Sequence, residues 1–345
     1  LGAENGADSI RSAQQGISEV DGFAFGEAPR LIELGMQDWL AARLGPELAA
    51  RRSKLEATKE AAVARHAAEE VFSFWHMVDV SVPNILRLTG FLGRGRANAA
   101  RIQVTRNVVP IRGLPEALNG FTLLHLTDLH ADISENAMRA LPQALSGLSY
   151  DLCVITGDFR GRTFGPFART VEIVREVAAA IRVPMLGVLG NHDTARILPD
   201  LEAMGIRLLM NEAVAIERGR ERLWVAGVDD PHYYRTDDTS AAVSKIPAGE
   251  PVVLLAHSTE RFVAAIEAGV GRMLCGHTHG GQICLPGSIP ILTSTKMPRW
   301  LASGPWRHGG MHGYTSRGVG TSSVDARFNC PPEVVLHTLV PDGRL

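Results

Sequence analysis

Five short apolar runs in this chain each end on a polar, chemistry-bearing residue, and that placement constrains the fold more than any other feature. Phe121–Thr127 runs into Asp128-Leu129-His130, and Leu152–Thr156 into Gly157-Asp158. Val183–Leu189 leads to Gly190-Asn191-His192-Asp193, Val252–Ala256 to His257, and Arg272–Cys275 to Gly276-His277-Thr278-His279. Runs of this length, rich in Val, Leu and Ile and closed by glycine or a polar residue, read as buried strands. Helical patterns at Pro166–Ile181 and Ser258–Ala268 intervene, so the arrangement is a layered α/β fold. Open α/β sheets bind ligands outside their strand ends. The polar residues are therefore expected to converge.

The converging set offers three carboxylates, one amide and several imidazoles. Imidazole with carboxylate suits Mn, Fe, Co or Zn. A pair of such ions is a device for in-line displacement at phosphorus, so hydrolysis of a phosphate ester is the expected chemistry. Glycines at 157, 190 and 276 let the backbone turn sharply and approach the ions. Singly these motifs say little: Asp-Leu-His is usually a loop, and His-Thr-His can be a surface turn. Their joint presence in order carries the reading.

The constellation resembles the calcineurin-like metallophosphoesterases, whose signature reads D-x-H, G-D, G-N-H-[DE], H and G-H-x-H, over roughly residues 105–345. The resemblance implies a four-layer α/β/β/α sandwich of two mixed β-sheets flanked by helices, here preceded by an N-terminal helical region. It implies two divalent metal ions, with Asp128, His130 and His279 on the first, Asp158 bridging, and Asn191, His257 and His277 on the second. His192 is then a general acid or transition-state stabiliser rather than a ligand, and a bridging water the nucleophile. One departure stands out. Family members often continue the second motif as G-D-x-x-D, the last carboxylate orienting the histidine, whereas this chain reads Gly157-Asp-Phe-Arg-Gly161. Asp193 is the replacement that the sequence offers. Arg160 and Arg162 read equally as phosphate-binding guanidinium forks or as a solvated loop.

His277-Thr-His-Gly-Gly-Gln-Ile283 with Leu285-Pro286, Val228-Asp-Asp-Pro231 and Arg317-Gly-Val-Gly320 resemble a bacterial phosphodiesterase branch. That branch includes a UDP-2,3-diacylglucosamine pyrophosphatase. The expectation is a phosphodiesterase or pyrophosphatase acting on a nucleotide- or lipid-linked substrate of that kind. A phosphomonoesterase or protein phosphatase is the alternative. A non-catalytic scaffold is disfavoured, because such scaffolds lose ligands and every ligand is present here. His232, Tyr233, Tyr234 and Trp300 either shape a substrate cleft or pack at the surface. His125, inside an apolar strand, reads as a hydrogen-bonded core residue.

The 345 residues suffice for one large domain and a smaller element, and a net charge of −2 shows no bias toward nucleic acid, which is not expected as a partner. Cys153, Cys275, Cys284 and Cys330 have no C-x-x-C spacing and read as reduced thiols of a cytoplasmic protein. Residues 1–30 read as a flexible segment without signal-peptide character, 31–99 as the helical region, and 100–345 as the metallophosphoesterase domain. The helical region does not read as part of the catalytic core. Val71–Leu92 is apolar but broken by Asp79, Pro83 and Arg87, which argues against a spanning helix, and Arg94, Arg96, Arg101 and Arg106 follow. Residues 71–106 read either as a peripheral contact with the inner face of the cytoplasmic membrane or as a helix packed on the core beside a solvated basic loop. Residues 98–112 alternate as an entering strand does.

Overall fold

The structure, a computed structural model, describes residues 35–66 and 74–343. The segment read as flexible, 1–30, lies outside the described residues. The chain begins with helices α1 (Met36–Leu44), α2 (Pro46–His66), α3 (Phe74–Leu88) and α4 (Leu92–Ala99). Gly45, at φ 79°, turns the chain between the first two, and Pro46 opens α2 where its missing N–H costs nothing.

Two six-stranded sheets follow. The first contains β1 (Gln103–Ile111), β2 (Thr122–Leu126), β3 (Leu152–Thr156), β4 (Met185–Val188), β5 (Ile206–Leu208) and the last strand, β14 (Glu333–Pro341). Its order is β1-β14-β2-β3-β4-β5, all neighbours parallel except β14 against β2. The second contains β6 (Glu212–Arg218), β7 (Glu221–Gly227), β8 (Val252–Leu255), β9 (Arg272–Cys275), β12 (Gly304–His308) and β13 (Met311–Thr315), ordered β12-β13-β9-β8-β7-β6. A short hairpin, β10 (Cys284–Leu285) with β11 (Ile289–Pro290), stands apart from both.

The period of two along a strand explains how the layers stack. Leu123, Val154 and Leu186 of the first sheet meet Val225, Val253 and Leu274 of the second in one apolar layer. Their neighbours Leu124, Leu126, Cys153 and Ile155 face outward onto α5 (Glu135–Leu145) and α6 (Ala168–Ala179) through Met138, Leu141, Val171 and Val174. On the other side Leu254 and Met273 meet Ala242 of α8 (Thr239–Val243) and Phe262 and Ala265 of α9 (Phe262–Glu267). The remaining helix, α7 (Leu198–Ala203), precedes β5. This is the α/β/β/α sandwich that the resemblance implies. His125 is buried in the first sheet with Nε2 2.8 Å from Thr156 Oγ1 and Nδ1 3.2 Å from His337 Nε2, a hydrogen-bonded core residue as its sequence context suggests.

The first two helices do not stand aside from the catalytic layers. Trp39, Leu40, Leu44 and Ala49 belong to the same core cluster as β2 and β3. Arg43 lies over the Trp39 ring and pairs with Glu202 and Glu212. The Leu208 carbonyl also accepts from Arg43. Helix α4 is packed too: Gly95 O accepts from Arg327 N–H at 3.1 Å, and Asn98 donates to Arg327 O at 3.0 Å. Helix α3 differs. None of its described side chains is buried, and Val80, Ile85 and Leu88 are exposed, as is Phe91 just beyond. No helix among the described residues is long and apolar enough to cross a membrane.

Trp39 is fully buried in that shared cluster. Trp39→Ala is expected to cost about 3–5 kcal/mol in denaturant unfolding. A loss below about 1 kcal/mol, the scale of a surface change, would show that α1 merely leans on the domain.

Candidate metal centre

Asp128 and His130 follow β2, Asp158 follows β3, Asn191 and His192 follow β4, His257 follows β8, and His277 and His279 follow β9. The two sheets aim these strand ends at one place, and the side chains meet there. His130 Nε2 lies 3.0 Å from His279 Nε2, and His279 Nε2 lies 3.5 Å from Asp128 Oδ1. His257 Nε2 lies 3.0 Å from Asn191 Oδ1 and 3.2 Å from His277 Nδ1. Asp158 Oδ2 stands between the two groups, 3.5 Å from His130 Nε2 and 3.2 Å from His257 Nε2. Ligands at about 2.0–2.2 Å from one ion are themselves roughly 3–3.5 Å apart, so both groups have the spacing and donor chemistry to hold a cation. All seven ligand candidates come together.

Backbone acceptors fix which ring nitrogens look inward. His257 Nδ1 sits 2.8 Å from Thr156 O and His277 Nε2 sits 3.1 Å from Ser294 O, so each donates there and leaves its other nitrogen free to coordinate. The backbone is bent hard to do this. Asp128, His130, Asp158, His277 and His279 all have φ between 41° and 75°, a region that side chains other than glycine seldom occupy. A Cβ on Gly190 would overlap the Asp158 carboxylate, and one on Gly276 would overlap Thr127 and Asp128. Those glycines mark the close approach of two loops to the carboxylates.

Burial pushes Asp128 up to about 6, with Asp158 adding to the rise. For Asp158 burial acts the same way, but His257, His192 and His130 more than offset it and hold the carboxylate well below its ordinary range. Burial lowers His130 and His277 to about 3, keeping both in the neutral form that coordinates metal. His257 goes the other way: burial lowers it, but Asp158, Asp128 and Asp230 more than offset that and hold it well above its ordinary range.

His192 is oriented differently from the sequence suggestion. Asp193 does not touch its ring: Oδ2 accepts Gly190 N–H at 2.9 Å and Oδ1 accepts Arg160 N–H at 3.2 Å. The Gly161 carbonyl, at the position where the G-D-x-x-D carboxylate would stand, accepts from His192 Nδ1 instead. Ile133 fills the space that a Gly161 side chain would need. Asp132, four residues after Asp128, grips the loop by accepting Gly161 N–H at 2.5 Å and Arg162 N–H at 3.1 Å.

The other candidates divide. The Arg160 guanidinium is buried and donates to Phe164 O at 2.7 Å and Gly165 O at 3.2 Å, bracing its own loop. The Arg162 side chain is exposed. His232 reaches the site: its ring centroid is 4.2 Å from that of His277, and its Nδ1 lies 2.7 Å from Glu260 Oε1. Beyond it opens a cleft of about 670 Å³ lined by Arg51, Arg235, Asp237, Glu260, Arg261 and Lys296 among others.

The sequence reading missed a set of residues on α2. Arg52 is fully buried and donates to Asp229 Oδ1 at 2.5 Å and Asp193 O at 2.8 Å. Glu56 accepts from Thr194 Oγ1 at 2.8 Å and Ala195 N–H at 2.7 Å. Lys59 donates to Asn191 O at 3.0 Å and lies 4.2 Å from the Tyr233 ring centre. Burial lowers the Lys59 ammonium to about 8 even though Asp158 and Asp230 raise it. The helical spacing of 52, 56 and 59 is the only sign of this set in the sequence. It does not by itself name a target.

Residues 121–281 match the family described as Calcineurin-like phosphoesterase. The chain carries a calcineurin-like phosphoesterase domain. It is 29% identical to the Bacillus subtilis (strain 168) protein named Uncharacterized metallophosphoesterase YkoQ, over 74% of this chain and 97% of that one. It is likewise 29% identical to Phosphodiesterase YaeI of Escherichia coli (strain K12), over 64% of this chain and 82% of the relative. Among solved structures, the Haemophilus influenzae NAD nucleotidase (NadN) overlaps 58% of this chain and 50% of its own at 12% identity and a TM-score of 0.36. The phosphoesterase domain is a metal-dependent phosphoester hydrolase, and its matched span includes every ligand candidate and His192. The span begins after α1–α4, so the α2 clamp is an addition from outside it.

Gly161→Ala is expected to lower the stability of the phosphoesterase domain by about 1–3 kcal/mol through overpacking against Ile133. Adding Ile133→Ala should return part of that loss in the same unfolding assay. Destabilisation by Gly161→Ala that Ile133→Ala does nothing to relieve would show that Ile133 is not the obstacle.

Proposed function

We propose that this chain is a phosphodiesterase or pyrophosphatase with two divalent ions at its centre. In this reading Asp128, His130 and His279 hold one ion, Asn191, His257 and His277 the other, and Asp158 both. The cleft beyond His232 is the observation that carries the choice of a diester. About 670 Å³ beside the centre has room for both substituents of a diester, the leaving group and the group retained on phosphorus.

Bound ions supply Lewis acidity toward the phosphoryl oxygens and acidify water. The protein's own groups do the rest. Gly161 O holds the His192 Nδ1–H, which leaves Nε2 as the working atom of the ring. There His192 donates a proton to the departing oxygen or stabilises the charge on it. The two sheets bring the ligands together, and burial excludes competing bulk water.

The cleft charges support an anionic second substituent. Arg261 is paired with Asp237 at 2.8 Å, and Glu260 with His232. Arg51, Arg235 and Lys296 are exposed at the cleft and make no ion pair among the described residues. Such a cleft suits a second phosphate, as in a nucleoside diphosphate-linked molecule, with UDP-2,3-diacylglucosamine as one candidate. The exposed apolar side chains of α3 and the following Arg94, Arg96, Arg101 and Arg106 support peripheral contact of 71–106 with the inner face of the cytoplasmic membrane. A lipid-linked substrate would be met there.

The test is hydrolysis of bis-p-nitrophenyl phosphate against p-nitrophenyl phosphate by protein stripped of metal and reloaded with Mn²⁺. The diester is expected to be preferred, the stripped protein to be inactive, and His192→Ala to lose about 10²–10⁴-fold in kcat with metal content unchanged. Faster turnover of the monoester would sink the diester assignment. In Arg51→Gln/Arg235→Gln/Lys296→Gln, kcat/KM should fall for a nucleoside diphosphate sugar and hold for bis-p-nitrophenyl phosphate.

A further inference from the structure

We propose that Lys59, delivered by α2 from outside the matched phosphoesterase span, binds an oxygen of the phosphoryl group undergoing hydrolysis. The inference rests on the phosphoester-hydrolase reading and adds a residue to its catalytic set. It starts from a comparison of the cations around the centre. Arg52 spends its guanidinium on Asp229, Glu56 and the Asp193 carbonyl. Arg160 is turned onto the Phe164 and Gly165 carbonyls. Arg327 is buried against carbonyls of Arg317, Gly318, Gly320 and Cys330 and beside His279. Arg52 and Arg327 are taken up by the protein itself, and Arg160 is turned away onto its own loop, with its buried Nε unpartnered.

Lys59 is placed differently. An ammonium has three N–H donors. The Asn191 carbonyl takes one at 3.0 Å, and the Tyr233 face lies 4.2 Å away. Among the described residues its ammonium makes no other hydrogen bond. Its place is equally telling. It packs against the loop that carries Asn191 and His192, and Asp158 and His192 both feel its charge. Holding a cation there works against its own burial. A surface lysine would avoid that cost by turning into solvent.

What keeps Lys59 turned inward is the register of α2. Arg52 and Glu56 grip the 193–195 backbone one turn apart, and Glu60 pairs with Arg196 at 3.0 Å. With those three fixed, position 59 faces the loop between them. The helix thus holds one ammonium against the backbone of Asn191, itself a ligand candidate. Phosphoryl oxygens carry the negative charge that such a group recognises.

The test uses the full-length, metal-loaded protein and inorganic phosphate as the probe, with binding read by calorimetry beside kcat and KM on bis-p-nitrophenyl phosphate. Lys59→Met should weaken phosphate about 10–100-fold, the scale of one charged hydrogen bond, with metal content and Tm unchanged. Lys59→Gln keeps an N–H for the Asn191 carbonyl but not the charge. It should lose phosphate affinity by a similar factor, which a loop-pinning role would not produce. Unchanged phosphate affinity in both variants, or a loss that merely tracks lost metal, overturns the proposal. If the wild-type protein binds phosphate through Lys59 yet leaves the diester intact, the diester reading fails while the contact stands.

Discussion

Asp128 and Asp158 are both buried, and an uncompensated buried carboxylate costs on the order of several kcal/mol. The surroundings of the centre follow from that cost. Each carboxylate accepts backbone N–H groups, Asp128 from His277 and Asp158 from His192, and each has imidazole nitrogens within 4 Å. Four such rings can come so close only if the loops bearing them turn through left-handed conformations, and five of the site residues do. The strain is therefore not incidental. It is what lets strand ends from two different sheets present ligand atoms at coordination spacing, and the packed layer between the sheets is what sustains it.

The same argument explains the N-terminal helices. A loop that carries Asn191, His192 and Asp193 into a strained, buried turn needs its outer face held. Helix α2 holds it with one stripe of side chains, and α1 fixes α2 to the core through Trp39 and Leu40. Arg52 is itself a buried charge, and Asp229 pairs with it while Thr236 donates to the second Asp229 oxygen. Asp230, the next residue, takes the N–H groups of His232, Tyr233 and Tyr234 and so shapes the rim of the cleft. The clamp and the cleft therefore share one loop, and a shift in α2 reaches both.

The parts of this that the sequence disclosed are those with local causes. An apolar run ending in glycine and a ligand is a complete local description of a strand and its functional end, and β3 and β9 span the runs read as Leu152–Thr156 and Arg272–Cys275. The helix read at Ser258–Ala268 narrows to Phe262–Glu267, because the residues after His257 serve the site and not the helix. The α2 clamp was illegible because Arg52 finds Asp229 177 residues away. An arginine in an Ala- and Glu-rich helix looks the same whether it is solvated or buried. Asp193 illustrates the converse error. Adjacent to His192 in sequence, it turns back to the Gly190 and Arg160 amides, while a glycine carbonyl that no side-chain motif could flag takes the ring.

The two sheets contribute unequally to the centre, and this has a consequence for how binding and folding are linked. Asp128, His130, Asp158 and Asn191 come from strands of the first sheet, and His257, His277 and His279 from the second. Each proposed ion would thus tie one sheet to the other at the open edge of the sandwich, opposite in kind to the apolar layer that joins them inside. The segment between β13 and β14 runs across this edge: Val319 and Gly320 donate to Thr127 O and Asp128 O, and Arg327 gathers its carbonyls. A cation that binds only the assembled ligands stabilises the assembled state in proportion to the logarithm of its concentration over its dissociation constant. Metal affinity and the packing of the two sheets are then two expressions of one equilibrium, and any substitution that loosens the sandwich at this edge weakens the ions it holds.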